Sequence, residues 1–231
     1  MPSTDYGDIF ATKGIEYLLV IGFLALLVVF WRILNPLPRT VPVVTALRRG
    51  IGAASSWFQL PLERFYHPAH TWAAVGADGL ITVGLDDFGQ KLLGPAQRIE
   101  LPAVGEHRHQ GEPGPRVAVG SKSIDLLSPV QGTVVATNDA VLQSPALVNE
   151  DPYGGGWLLK MKPDRAGFDL KGLLHGDLAR AWIELTESDL RQRISRELGQ
   201  VLQDGGVPVS GIARSVAGES WDRLARDFLL S

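Results

Sequence analysis

No cysteine occurs in the 231 residues of this chain. Disulfides, thiolate zinc sites, cysteine-ligated iron–sulfur clusters and a cysteine nucleophile are therefore excluded. An excess of either charge is missing too. The 22 Lys and Arg against 25 Asp and Glu leave a net charge of −3, which argues against an electrostatic nucleic-acid binder. Signatures of catalysis are also lacking. Gly154-Gly155-Gly156 is not followed by the Lys-Ser/Thr of a phosphate-binding loop and reads as a turn. No Ser-His-Asp set with a nucleophile elbow is present. His107 and His109, split by Arg108, could share a strand face, but with no third ligand nearby in sequence they predict a solvated loop and no metal site. No catalytic residue is expected.

One uncharged apolar run stands out, Tyr17 to Trp31. With its flanks it approaches the ~20 residues that span ~30 Å of hydrocarbon, so residues 15–34 are expected to form a transmembrane helix. Tyr17 and Trp31 suit the two interfaces. The leader, 1–14, carries Asp5, Asp8 and Lys13 in place of a basic region, and no small-x-small cleavage site follows, which predicts an anchor and not a cleaved signal. Arg32, Arg39, Arg48 and Arg49 all follow the run. The positive-inside rule then places the N-terminus outside and the main domain in the cytoplasm, single-pass in a bacterial inner membrane, with the lipid bilayer as a partner. Residues 35–68 read as a linker opened by Pro36, Pro38 and Pro42. Within it, Thr45 to Phe58 either lies on the membrane or packs as an ordinary amphipathic linker on the domain.

Short alternating runs follow. Trp72 to Val75 and Leu80 to Leu85 flank Gly76-Ala77-Asp78-Gly79, a hairpin signal. Asp86 is placed to cap a helix over 87–93, which Gly94-Pro95 ends. Gln97 to Leu101 predicts a strand and Gly111 to Pro115 a loop. Arg116 to Val119 and Ile124 to Leu127 form a hairpin with Ser121-Lys122-Ser123 between them. Thr133 to Thr137 is a strand, Asp139 caps a short helix to Ser144-Pro145, and Trp157 to Met161 is a last strand. Many short strands with frequent turns predict a mainly β domain, a small antiparallel sandwich or barrel.

Five pieces carry a resemblance. They are His70-Thr71-Trp72, Val83 to Gln90 (VGLDDFGQ), Ile99-Glu100-Leu101-Pro102, Ser128-Pro129-Val130-Gln131-Gly132 and Leu147 to Leu158 (LVNEDPYGGGWL). In this order, residues 69–163 resemble the H-protein of the glycine cleavage system, the carrier whose lysine holds lipoic acid. The resemblance implies a sandwiched barrel with short helices, of the lipoyl/biotinyl-carrier type. It also implies a lysine at the tip of the hairpin before Ser128, with an acidic residue three before it and a glycine eleven after it. Counting back from Gly132 lands on Ser121, and three before that is Ala118. Lys122 comes one place late, with Val119 at its acidic position. The site residues are thus Ser121 at the family-aligned tip, Lys122 as the candidate lipoyl attachment, and Asp125, Pro129 and Gly132 as context. Lys91, Lys160 and Lys162 read as surface charges, His70 as structural and His175 as a cap-region residue.

Residues 164–231 form a helical extension. Asp177 to Leu185 predicts one helix, Thr186-Glu187-Ser188-Asp189 resembles a capping box starting a second that Gly205-Gly206 ends, and Glu219 to Leu230 predicts a third. The expectation is a non-catalytic, membrane-anchored adaptor subunit whose barrel docks a redox or carrier partner, its lipoyl lysine lost or shifted. The alternative is a lipoylated carrier, of the aminomethyl-carrying type or a related lipoyl shuttle, using Lys122. Lipoate on Lys122 is the only cofactor in view, and a protein partner or complex is expected.

Overall fold

The computed structural model describes residues 17–27, 30, 57–164, 172–198 and 210–230. The chain divides into two compact units, Met1–Gly52 and Ala53–Ser231. In the first, residues 17–27 are helical. Among the described residues no helix is long and apolar enough to cross a membrane. The expected transmembrane helix over 15–34 is therefore not supported. The single-pass inner-membrane localisation and the bilayer partner built on it are corrected accordingly. The rest of that run, the leader and residues 45–56 lie outside the described residues.

The second unit is mainly β. Its strands are Phe65–Tyr66 (β1), Thr71–Val75 (β2), Ile81–Leu85 (β3), Arg98–Glu100 (β4), His107–Arg108 (β5), Pro113–Val119 (β6), Lys122–Leu127 (β7), Gly132–Thr137 (β8), Leu159–Pro163 (β9) and Leu174–His175 (β10). They form a seven-stranded sheet in the order β10-β1-β2-β3-β9-β8-β5 and a three-stranded sheet in the order β4-β6-β7. Every pairing is antiparallel. The helices are Asp87–Leu93 (α1), Asp139–Gln143 (α2), Leu147–Glu150 (α3), Asp177–Leu198 (α4), Ile212–Ala217 (α5) and Trp221–Leu229 (α6).

Local chemistry explains most of these elements. Asp86 caps α1 by accepting from the Gly89 amide at 2.7 Å. Its other oxygen takes Nδ1 of buried His70 at 2.8 Å, and the imidazole stacks on Phe88 with ring centres 4.1 Å apart. These contacts hold His70 at a φ of 62°, a conformation a bulky residue keeps only when its surroundings over-determine it. His70 is thus a structural keystone between β2 and α1.

Four details depart from the sequence expectation. Asn138, not Asp139, caps α2, accepting from the Ala140 amide at 3.1 Å. The loop expected over Gly111 to Pro115 is partly strand, since β6 begins at Pro113. A register shift between Pro113 and Arg116 accommodates the missing proline donors. Thr186 does not start a second helix. Its hydroxyl donates back to the Trp182 carbonyl at 3.0 Å, and α4 runs on through it. The expected third helix begins later, at Trp221, and is preceded by α5, which the sequence did not announce. Gly205-Gly206 lies outside the described residues.

The core explains why α4 to α6 matter. One cluster fills the inside of the seven-stranded sheet with Ala73, Ile81, Val83, Val134, Leu159 and Met161. A second, larger cluster joins the three-stranded sheet (Val117, Val119, Ile124, Leu126) to α1, to Ile183, Leu190 and Ile194 of α4, and to Trp221 and Phe228 of α6. Phe228 meets Phe88 with ring centres 5.3 Å apart, a contact worth about 1 kcal/mol beyond its buried area. Trp57 and Phe58 are buried in the same cluster. The C-terminal helices therefore complete a core that the sheets alone would leave open.

Candidate functional site

The β6–β7 hairpin is where the sequence and the fold converge. Val117, Val119, Ile124 and Leu126 point into the core, while Arg116 and Asp125 sit opposite each other on the outer face. The Arg116 Nε donates to the Asp125 carboxylate at 2.5 Å, and that carboxylate holds the guanidinium above its ordinary pKa. This cross-strand pair fixes the register. Asp125 is therefore a register residue on the outer face. Pro129 is buried in the turn that follows, where the Ser128 hydroxyl donates to the Val130 carbonyl at 2.7 Å. Gly132 opens β8 so close to β9 that a Cβ there would stand 2.4 Å from the Lys162 carbonyl oxygen, so only glycine fits.

The tip is shorter than the sequence reading made it. Val119 pairs directly with Lys122, which leaves a two-residue turn of Gly120 and Ser121. Gly120 has a φ of 64° and Ser121 has no positive φ, the Gly-first pattern of a tight hairpin turn. The Gly-Ser dipeptide between two strand-like runs was the signal for this turn. Ser121 is exposed at the apex. Lys122 and Ser123, expected in the loop, are the first residues of β7.

That difference of two residues decides where Lys122 points. Side chains of a strand alternate between faces. Lys122 shares its parity with Ile124 and Leu126, which are buried, and not with Asp125, which faces out. Its side chain thus lies on the face that α6 covers. The Lys122 ammonium donates to the Asp222 carboxylate at 2.5 Å and to the Glu219 carbonyl, and its side chain is one-third exposed. The bond from Lys122 holds the Asp222 carboxyl below the usual carboxylate range. Two further contacts secure the tip. Gln97 Oε1 accepts from the Gly120 amide at 3.1 Å, and an Arg214 terminal nitrogen reaches the Val119 carbonyl at 3.5 Å, the outer limit of a hydrogen bond. Asp222, Glu219 and Arg214 were not singled out from the sequence. They lie about a hundred residues from the hairpin, and nothing local links them to it.

The remaining candidates stay apart from this site. Lys91 pairs with Asp87 at 2.8 Å, and Lys160 lies 5.4 Å from the Trp157 ring centre. His107 Nε2 bonds Asp164 at 2.9 Å, and the bond holds that carboxyl below its usual range. The His109 ring sits edge-on to His107, with ring centres 4.9 Å apart. Among the described residues no group of three or more His, Cys, Asp or Glu is arranged to hold a metal ion. His175 stacks on Phe65 and ends β10, two residues before α4 begins.

Comparison with known proteins converges on one family. Residues 64–185 match the family model described as glycine cleavage H-protein. A probable glycine cleavage system H protein of Natronomonas pharaonis is 42% identical over 127 residues, which span 54% of this chain and 98% of that protein. The glycine cleavage system H protein of Thermus thermophilus is 38% identical over 130 residues, or 56% of this chain and 98% of that one. The crystal structure of a glycine cleavage system H protein from Mycobacterium marinum is 31% identical, covering 55% of this chain and 99% of that one, with a TM-score of 0.48.

Proposed function

We propose a function from one premise: the chain belongs to the glycine cleavage H-protein family. A member of this family is a non-catalytic carrier subunit whose cofactor is lipoate on a lysine, and it works with protein partners. The chain acts, in our reading, as such a carrier, with Lys122 as the attachment residue and the other components of a glycine cleavage system as partners. The working unit is the barrel of residues 69–163 together with the extension of 164–231.

One observation carries the reading. Lys122 is the only lysine in the hairpin that the family uses, and it adjoins an exposed two-residue apex. The residues fit the group: the side chain is one-third exposed and is held by a surface ion pair, not by burial. A lipoyl amide supplies a dithiolane at the end of a long, flexible arm. The protein supplies the rigid base. The Arg116–Asp125 pair fixes the register beneath the turn, and Gln97 fixes the turn itself. Mass spectrometry of the intact purified chain from cells with active lipoylation should show the lipoyl addition, and Lys122→Arg should remove it. An unmodified mass from such cells overturns the reading.

A second reading has its own support. Ser121, not Lys122, occupies the apex, at the spacing from Gly132 where the family pattern puts its lysine. In this reading the barrel kept its shape, lost its arm and serves as a docking subunit for a redox or carrier partner. Gentle affinity purification should then recover a stoichiometric partner with an unmodified chain. Recovery of the chain alone argues against it.

A further inference from the structure

We propose that the C-terminal helices form a clasp that withholds the Lys122 amine, with Asp222 as the positioning residue that closes it. The clasp lies beyond the family model, which ends at residue 185. Its elements are anchored independently of the lysine. Trp221, Ala225, Phe228 and Leu229 bury one face of α6 in the core, which places Asp222 half-buried in the first turn of that helix, against the hairpin. Lys122 then donates to both Asp222 and the Glu219 carbonyl, while Arg214 of α5 reaches the adjoining Val119 carbonyl. The same turn is thus held from both of its strands. A Cβ at Gly120 would come within 2.8 Å of an Arg214 terminal nitrogen, so the guanidinium lies against the turn itself.

The chemistry of amide formation gives the clasp its consequence. An ammonium bound to a carboxylate is not a nucleophile. To be acylated, Nζ must leave both acceptors and give one proton to water. The free amine then attacks the acyl carbon of an activated donor such as an acyl adenylate. The carbon–nitrogen bond forms, the acyl carbon–oxygen bond breaks, AMP leaves and a second Nζ proton is lost. Only the two side chains need to move. With Lys122 and Asp222 each part-exposed, release does not require α6 to leave the core. The inference rests on the carrier reading for its biological use, but the clasp itself does not depend on lipoylation.

The test uses the full chain and a small amine-acylating reagent, N-hydroxysuccinimidyl acetate, with peptide mass spectrometry as the readout. Lys162 is exposed on β9 and serves as the internal reference. In the unmodified chain, Lys122 should acetylate about two- to five-fold more slowly than Lys162, the range a part-exposed ion pair supports. Asp222→Asn should remove most of that difference, and Asp222→Glu should retain it. A merely structural role for Asp222 would not move one lysine relative to the other. Equal relative rates in the unmodified chain and Asp222→Asn overturn the clasp. Lipoyl occupancy measured on the same two proteins separates the readings. Higher occupancy in Asp222→Asn supports both. No lipoyl mass in either protein, with acetylation still responding, removes the carrier reading and leaves the clasp standing.

Discussion

The β2–β3 and β6–β7 hairpins share a construction and differ at their tips. The first turn closes on itself: the Gly76 amide donates to the Leu80 carbonyl at 2.8 Å, and the Asp78 side chain accepts from the Leu80 amide at 3.1 Å. A Cβ added at Gly79 would meet nothing. The second turn is tighter, and its contacts are distant ones. Gln97 holds the Gly120 amide, Arg214 reaches the Val119 carbonyl, and Asp222 with the Glu219 carbonyl holds Lys122. One tip is a product of its own few residues, and the other is a tertiary contact. The hairpin that carries the proposed attachment lysine is the one whose end is tied to the C-terminal helices.

Removing the anchor should break that difference most strongly. Phe228→Ala empties a buried site against Phe88 and should cost about 3–5 kcal/mol in denaturant unfolding. It should also raise amide hydrogen exchange at Lys122 and Ser123 while leaving Gly76 to Leu80 unchanged. Equal protection loss at both tips would mean that the C-terminal helices hold the whole β domain and not this hairpin.

Glycine replacements sharpen the contrast at lower cost. Gly79 and Gly120 both have positive φ, at 76° and 64°. Alanine at either position should cost about 1–2 kcal/mol from the left-handed backbone. Gly120→Ala must also displace the Arg214 guanidinium. It should therefore cost more than Gly79→Ala, and the excess should vanish in an Arg214→Ala background.

The smallest expected effect is a dependence on pH. The Asp222 carboxyl titrates below its ordinary value of 3.8, chiefly because Lys122 donates to it, with Arg226 adding to the effect. A depressed acid contributes its stabilisation above its unfolded pKa and loses it as the pH falls through the folded pKa. The protection factor of the Lys122 amide, taken against its intrinsic exchange rate at each pH, should therefore fall as the pH is lowered from 5 to below 3.8, and Asp222→Asn should flatten that fall.

Much of the β domain was legible because its causes are local. Asp86 stands three residues before the amide it caps, and Asp78-Gly79 lies between two alternating runs. The Gly120-Ser121 dipeptide is a local turn signal too, but the polar run Ser121-Lys122-Ser123 beside it reads equally as loop, so the turn is two residues shorter than expected. That matters because it takes Lys122 out of the expected loop and onto the covered face of β7. Thr186 misled for a related reason. A hydroxyl near acidic residues resembles a cap in sequence, and only its bond to the Trp182 carbonyl shows that it lies inside a helix. The apolar run at Tyr17 reads as a span in sequence, but among the described residues no helix is long and apolar enough to cross a membrane.

The strands, the caps, the alternation of faces and the family came from neighbouring residues, whose hydrogen bonds and side-chain parity act over a few positions at most. The state of the Lys122 amine did not. Its partner Asp222 is a hundred residues away, and the two meet only because burying Trp221 and Phe228 brings α6 against the hairpin. Contact between such distant positions comes from closing one core around several elements, which no short stretch of chain encodes.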